Sequence, residues 1–188
     1  MLKFKARKTK DGYELKILKK EEMEQIRIAR NEQINVLRQK KEISKAKQIA
    51  YFEEIVAKEQ QKKYPNLILF SLFKNDTWIG YGGLVHIDWD HLRAEVSFLL
   101  DTKRAQNEDL YRKDFENYLE LLFPIAFNHL KLKRLHTETF DFRTFQIKLL
   151  EDLGFSYEGT LKNHVLIRGE PHDSILHGIL REDVKIVD

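Results

Sequence analysis

The stretch EVSFLLDTKRAQNEDLYRKDFENYLELLFPIAF, Glu95–Phe127, opens as a strand (Val96-Ser97-Phe98-Leu99-Leu100), breaks at Asp101 and runs through a basic, polar connection. Apolar residues then return at Tyr111, Phe115, Tyr118, Leu119, Leu122 and Ala126, the spacing of one face of a long helix. Strand, loop and helix N-terminus in succession make a place for an anionic group, because unpaired backbone N–H groups and the positive end of the helix dipole meet there. A phosphorylated cofactor is expected at this turn. The glycines common in phosphate-binding loops are absent from it, so the grip is expected from the amides of Gln106–Leu110 and from nearby Arg and Lys side chains.

Upstream of this stretch the period is two. LILFSLFK, TWIGYGGLVHI and EVSFLL, separated by Asn75-Asp76 and by a polar Asp88–Arg93 turn, read as a three-stranded antiparallel meander. Gly80, Gly82 and Gly83 weaken the middle strand, which implies either a bulge against a ligand or a bend in a curved sheet. Further back, residues 20–63 are helical in at least two pieces, one with Met23, Ile26 and Ala29 inward, the next capped by Ser44 with Ile49, Phe52, Ile55 and Val56 inward. Residues 2–18 alternate about Asp11-Gly12 as a hairpin. Downstream, Pro124 is expected to kink the long helix or mark a join. Arg134–Phe140 reads as a strand, Phe142–Leu153 as a helix ended by Gly154, and Phe155–Leu180 as two strands about Arg168-Gly169-Glu170-Pro171. This order gives an α+β fold, a mixed, mostly antiparallel central sheet flanked by helices, in a single domain over 1–188.

Composition narrows the function. The 188 residues carry 33 basic and 30 acidic side chains, a net charge of +3, too mild for a nucleic-acid binder but compatible with an anionic small molecule. No cysteine is present, so no disulfide framework or thiolate chemistry is available. No apolar run approaches the ~20 residues of a membrane span, the basic N-terminus lacks the apolar core of a secretory signal, and a cytoplasmic location is expected. No histidine or carboxylate spacing suggests a metal.

The element order, over nearly the whole chain, resembles that of the GNAT N-acetyltransferase superfamily. The segment Leu149–Asp183, with Leu153-Gly154-Phe155, then Gly159, then Gly169 and Asp173, resembles the C-terminal signature of the branch containing ribosomal-protein N-terminal and amino-sugar (sugar-nucleotide) acetyltransferases. Trp78–Asp101 looks like that branch's central hairpin, and Ala29-Arg30-Asn31 with Ile34 and Leu37 is similar to an Arg-Asn motif of its amino-sugar members. The resemblance implies acetyl-CoA as cosubstrate and splayed central strands. The pantetheine would lie along Phe98, Leu99 and Leu100, and the pyrophosphate on the turn Arg104, Gln106, Asn107, Glu108, Asp109 and Leu110. Two departures stand out. The family's R/Q-x-x-G-x-G/A loop is here Arg104–Asp109, with Asn107 either replacing a glycine in the left-handed conformation or capping the helix so that Glu108 and Asp109 face away. Arg143 stands where many members carry a cofactor-binding Asn, and Leu150 where they carry a tyrosine acid.

Amine acetylation requires a group to take the amine's proton and a donor for the tetrahedral oxyanion, which a free strand N–H can supply. Glu95 is the first candidate base, at a position resembling one often used in the superfamily; a solvated strand-end charge is the alternative. His86, on the adjacent strand, is the second, with an ordinary sheet histidine as its alternative. Arg30, Asn31 and Trp89 are the candidate acceptor contacts, Trp89 alternatively a plain turn residue. The expected function is N-acetylation of a small primary amine, preferably the amino group of a sugar nucleotide in glycan biosynthesis. Acetylation of a protein N-terminus and a non-catalytic GNAT-fold binding module with an impaired CoA site are the alternatives. A homodimer is compatible with this reading; nucleic acid and membrane partners are not expected.

Overall fold

The structure is a computed structural model describing residues 7–186. Its eight-stranded sheet has the order β1-β2-β3-β4-β5-β6-β8-β7. The strands are β1 Arg7–Lys8, β2 Tyr13–Ile17, β3 Ile68–Lys74, β4 Thr77–Asp88, β5 Arg93–Leu100, β6 Arg134–Phe140, β7 Ser156–Ile167 and β8 Glu170–Leu180. Every neighbouring pair is antiparallel except β5 and β6. Most of the expected first hairpin arm lies outside the described residues, and only Arg7 and Lys8 are seen to pair with β2. Among the described residues no helix is long and apolar enough to cross a membrane.

The meander closes through tight turns. Asn75 and Asp76 both take positive φ (47° and 62°), the twist that a two-residue hairpin loop needs. The glycines of β4 answer to the sheet itself: a Cβ on Gly82 would lie 2.2 Å from the Ser97 carbonyl oxygen, and one on Gly83 would lie 2.0 Å from that of Ile68. The close approach at Gly82 and Gly83 is thus by neighbouring strands, and the β3–β4 register shift lies beside Gly80, between Leu72 and Phe73.

Helices cover both faces. On one lie α1 Met23–Glu32, α2 Lys45–Tyr51 and α3 Ala57–Gln61. Met23, Ile26 and Ala29 are buried there against Leu69, Tyr81 and Leu99. Ser44 caps α2 by accepting from the Lys47 amide. The expected inward stripe of the second helix is interrupted by a π turn over Phe52–Val56, which adds a residue to the turn. Val56 is thereby buried and Ile55 is left exposed. The connection 33–44 holds one short 3-10 turn, Ile34–Val36, and otherwise no helix or strand.

The other face carries α4 Thr102–Ala105, α5 Glu108–Phe123 and α6 Thr144–Asp152. Tyr111, Phe115, Tyr118, Leu119 and Leu122 of α5 are buried in the main core as their spacing requires. At Pro124 the α-helical bonding gives way to a π turn, Pro124–His129, so the proline marks a join.

Candidate active site

β5 and β6 pair over only three positions, Arg93 with Arg134, Ala94 with Leu135 and Glu95 with His136. Beyond Glu95 the strands part. Among the described residues the β6 side of β5 from Val96 onward has no strand partner, and a cleft of about 390 Å³ opens between Val96-Ser97-Phe98 and Thr137-Glu138-Thr139-Phe140. An extended chain of amides can lie there as an added strand. Side-chain alternation divides the cleft between the two helical layers. Phe98 faces α5 and packs on Tyr111, Phe115 and Tyr118, whereas Glu95 and Glu138 face the α1 side.

Glu95 sits at the point of divergence, its side chain 21% exposed. Burial pushes its carboxyl above the ordinary glutamate range, with His86 and Arg38 pulling the other way and Glu138 adding to the rise. His86 sits in a β-bulge between Val85 and Asp88, with φ +50°, and is 73% exposed, with Nε2 3.8 Å from Glu95 Oε2. That separation admits a bridging water more readily than a direct hydrogen bond. Glu138 is paired with Arg38, and the His164 ring nitrogen Nδ1 is 3.2 Å from it. Burial opposes ionisation of Glu138, but hydrogen bonds from Arg38 and Ser174 hold its carboxyl below the usual value. The cleft therefore presents one committed carboxylate, Glu138, and one without a direct cationic hydrogen bond, Glu95.

The 33–44 connection walls the cleft because three contacts fix it. The Gln33 amide donates to the Leu100 carbonyl at 2.8 Å. The Arg168 Nε, at the tip of the β7–β8 hairpin, donates to Asn35 Oδ1 at 2.9 Å. Arg38 reaches Glu138 on β6. Arg30 lines the cleft, its guanidinium donating to the Tyr81 hydroxyl at 2.8 Å and to Gln39. Asn31 does not line it. Its side chain holds the connection in place, donating to the Ile43 carbonyl and accepting from the Ile43 amide and Gln39. Trp89 also lies away from the cleft: its indole N–H donates to the Pro65 carbonyl and its ring meets Tyr64 edge-on.

The expected phosphate turn is folded differently from a nest. Asp101 caps α4, and Asn107, at φ −109°, caps α5 by accepting from the Leu110 amide. Asn107 is thus in extended backbone, not the left-handed conformation. Glu108 and Asp109 occupy the first turn of α5. Arg104 gives two hydrogen bonds, 2.6 and 2.8 Å, to Asp114, a fully buried carboxylate that also accepts from the Tyr13 hydroxyl. Leu99 and Leu100 are buried and, unlike Phe98, do not line the cleft. Gln106 lines a second cavity of about 330 Å³ beside α4, and Arg143 lines both cavities, as do Tyr111 and Gln146.

Sequence reasoning missed Tyr111, Arg38 and Glu138 as site residues. Glu138 carried a signal: it lies two positions after His136 on an alternating strand and so shares a face with it. Tyr111 reads as core from its spacing and is core, 7% exposed, yet it borders both cavities.

A family model described as an acetyltransferase (GNAT) domain matches residues 15–176. No functionally curated protein matches the chain in sequence. Among solved structures, the spermidine N-acetyltransferase from Vibrio cholerae in complex with CoA and spermine aligns with a TM-score of 0.77 and 18% identity, covering 92% of this chain and 97% of that one. A dodecameric structure of the spermidine N-acetyltransferase from Vibrio cholerae aligns with a TM-score of 0.73 and 19% identity, over 91% of this chain and 95% of that one. Likeness at that identity carries the fold and leaves the acceptor open.

Proposed function

The chain belongs to the GNAT acetyltransferase family and is an acetyl-CoA-dependent N-acetyltransferase, and from that premise we propose that its acceptor is the amino group of a sugar nucleotide, with the whole chain as one catalytic domain. One observation carries the choice of acceptor. The cleft is lined by Arg30, Arg38 and Arg143 against Glu95 and Glu138; Arg38 and Glu138 pair with each other, which leaves one more guanidinium than carboxylate. That balance favours an amine attached to a diphosphate over a polyamine, which would be better served by several unpaired carboxylates.

In this reading the donor thioester lies along the free side of β5, with its carbonyl oxygen toward strand N–H groups that take up charge as the amine nitrogen bonds to carbon. Glu95 accepts the proton lost by the nitrogen, through a water where needed, and His86 relays it to solvent. As the C–S bond breaks, the sulfur leaves as a thiolate and takes its proton from solvent, no tyrosine standing at Leu150 to supply it. A thiol is acidic enough, with a pKa of about 8.5, to leave without a dedicated acid.

The acceptor is tested by comparing kcat/KM for a uridine diphosphate amino sugar, spermidine and a short peptide with a free N-terminus, at saturating acetyl-CoA. The amino sugar is expected to exceed the others by at least about tenfold, roughly 1.4 kcal/mol of transition-state preference. Acetylation of spermidine or of the peptide in its place would overturn the assignment.

A further inference from the structure

We propose that the donor is held by its pantetheine arm and one guanidinium, Arg143, so that thioesters of 4′-phosphopantetheine, lacking the adenosine nucleotide, serve nearly as well as acetyl-CoA. The proposal rests on the acetyltransferase reading above and concerns which half of the donor is recognised.

The turn between β5 and α5 is where the topology puts a diphosphate, and most of its amides are already engaged. Lys103 and Arg104 donate to Asp101 Oδ1, Ala105 to the Asp101 carbonyl, Gln106 to that of Thr102 and Asn107 to that of Arg104. At the start of α5, Leu110 donates to Asn107 Oδ1 and Tyr111 to the Asn107 carbonyl. What remains at the helix N-terminus is the amides of Glu108 and Asp109, and these two residues bring carboxylates to the first turn of α5 that favour the positive end of the dipole and repel a second anion. Arg104, the cation best placed by sequence, is fully occupied by Asp114, and breaking that pair would strand a buried carboxylate. A diphosphate arriving here meets two acidic residues beside the open amides, or displaces a capping aspartate, a capping asparagine or an ion pair, each at a cost.

Arg143 stands in the contrasting position. It precedes α6, borders both the cleft and the cavity beside α4, and no carboxylate pairs with it among the described residues. Its neighbour is the Tyr111 phenol. A chain laid along β5 from Glu95 leaves the cleft past these two residues, so the first phosphate after the pantetheine meets a planar guanidinium able to fork two of its oxygens. The reaction is unchanged by the donor's length. The amine's N–C bond forms, the C–S bond breaks, and the thiol of phosphopantetheine leaves in place of that of CoA.

Calorimetric titration of the full chain with CoA, 4′-phosphopantetheine, pantetheine and adenosine 3′,5′-bisphosphate separates the two halves. CoA and phosphopantetheine are expected to bind within about fivefold of each other, pantetheine about tenfold or more weaker, and the adenosine bisphosphate without measurable heat at millimolar concentration. Arg143→Gln is expected to weaken CoA and phosphopantetheine by about tenfold or more, to the level of pantetheine, and to leave pantetheine unchanged. That last comparison excludes a merely misfolded variant. CoA binding more than about a hundredfold tighter than phosphopantetheine, binding of the adenosine bisphosphate alone, or indifference of CoA to Arg143→Gln would each overturn the proposal while leaving the acetyltransferase reading intact. Failure of all four compounds to bind would overturn both.

Discussion

Glu95→Gln is expected to turn over about 10²–10⁴-fold more slowly than the wild type at neutral pH, the usual worth of a positioned general base, with CoA affinity unchanged. The substitution keeps the shape of the side chain and removes its capacity to take a proton. The pH dependence makes the test specific. Burial raises the Glu95 pKa, so the acidic limb of the wild-type kcat/KM profile should lie above the ordinary glutamate value of about 4.3, with the rate falling as the pH drops through it. That limb should vanish in the variant. Stability should move the other way. A carboxyl whose folded pKa is raised favours the folded state when protonated, and that contribution is lost as the pH rises through the folded value. At neutral pH the ionised Glu95 is therefore a small burden on folding. The glutamine variant, which resembles the protonated form, should melt no lower than the wild type. Slow turnover with an undiminished melting temperature marks a group placed for chemistry; an unaltered rate and profile would remove Glu95 as the base.

Much of this arrangement is legible in the residues because the chain's period changes where its structure does. The switch from helical spacing to alternation at Leu67 marks the meander, Asn75-Asp76 supplies its left-handed turn, and the apolar stripe of α5 faces the core at the positions its spacing names. Glu95 and His86 fall together because adjacent antiparallel strands bring the head of one beside the end of the other. What could not be read depends on contacts distant in sequence. The parting of β5 and β6 after Glu95 is a relation between strands separated by two helices. Arg38 and Glu138 are a hundred positions apart, and each alone is an ordinary charged residue. Asn31 is suggested by the likeness of Ala29-Arg30-Asn31 to an Arg-Asn motif, and Trp89 by its place at a hairpin tip. Their hydrogen bonds to the backbone at Ile43 and Pro65 could be seen only once the chain was folded. The π turn at Phe52–Val56 shows the same limit for local pattern, since one extra residue rotates Ile55 out of a stripe that its spacing would bury.

Asp114→Ala is expected to destabilise the fold by about 3–5 kcal/mol, the cost of stranding a buried charge partner, and to lower Tm on the order of 10 °C for a chain of this size. Asp114 lies on the apolar stripe of α5 between Tyr111 and Tyr118, a position where a carboxylate has no access to water, and its side chain is fully buried. It is tolerated because every demand it makes is met. Arg104 on α4 donates twice and Tyr13 on β2 donates once, at 2.8 Å. The cluster works in both directions. Burial and Asp114 together drive the Tyr13 pKa upward, keeping the phenol a donor, and the bond to Asp114 raises that of Arg104. Truncation would leave a guanidinium 24% exposed without its counter-charge, and a core phenol without an acceptor. It would also untie three elements that meet beneath the expected cofactor turn. Asp114→Asn, which keeps an acceptor for Tyr13, should cost less. Replacing Arg104 and Asp114 together with Met and Leu should recover most of the loss, since an apolar pair of similar volume often matches a buried ion pair. Urea unfolding of the four proteins reads all of this. If Asp114→Ala costs less than about 1 kcal/mol, the range of a surface pair, then water reaches this cluster and α4 is not pinned. The engaged amides of the turn would then open to an arriving phosphate, and the donor's nucleotide half would regain its place there.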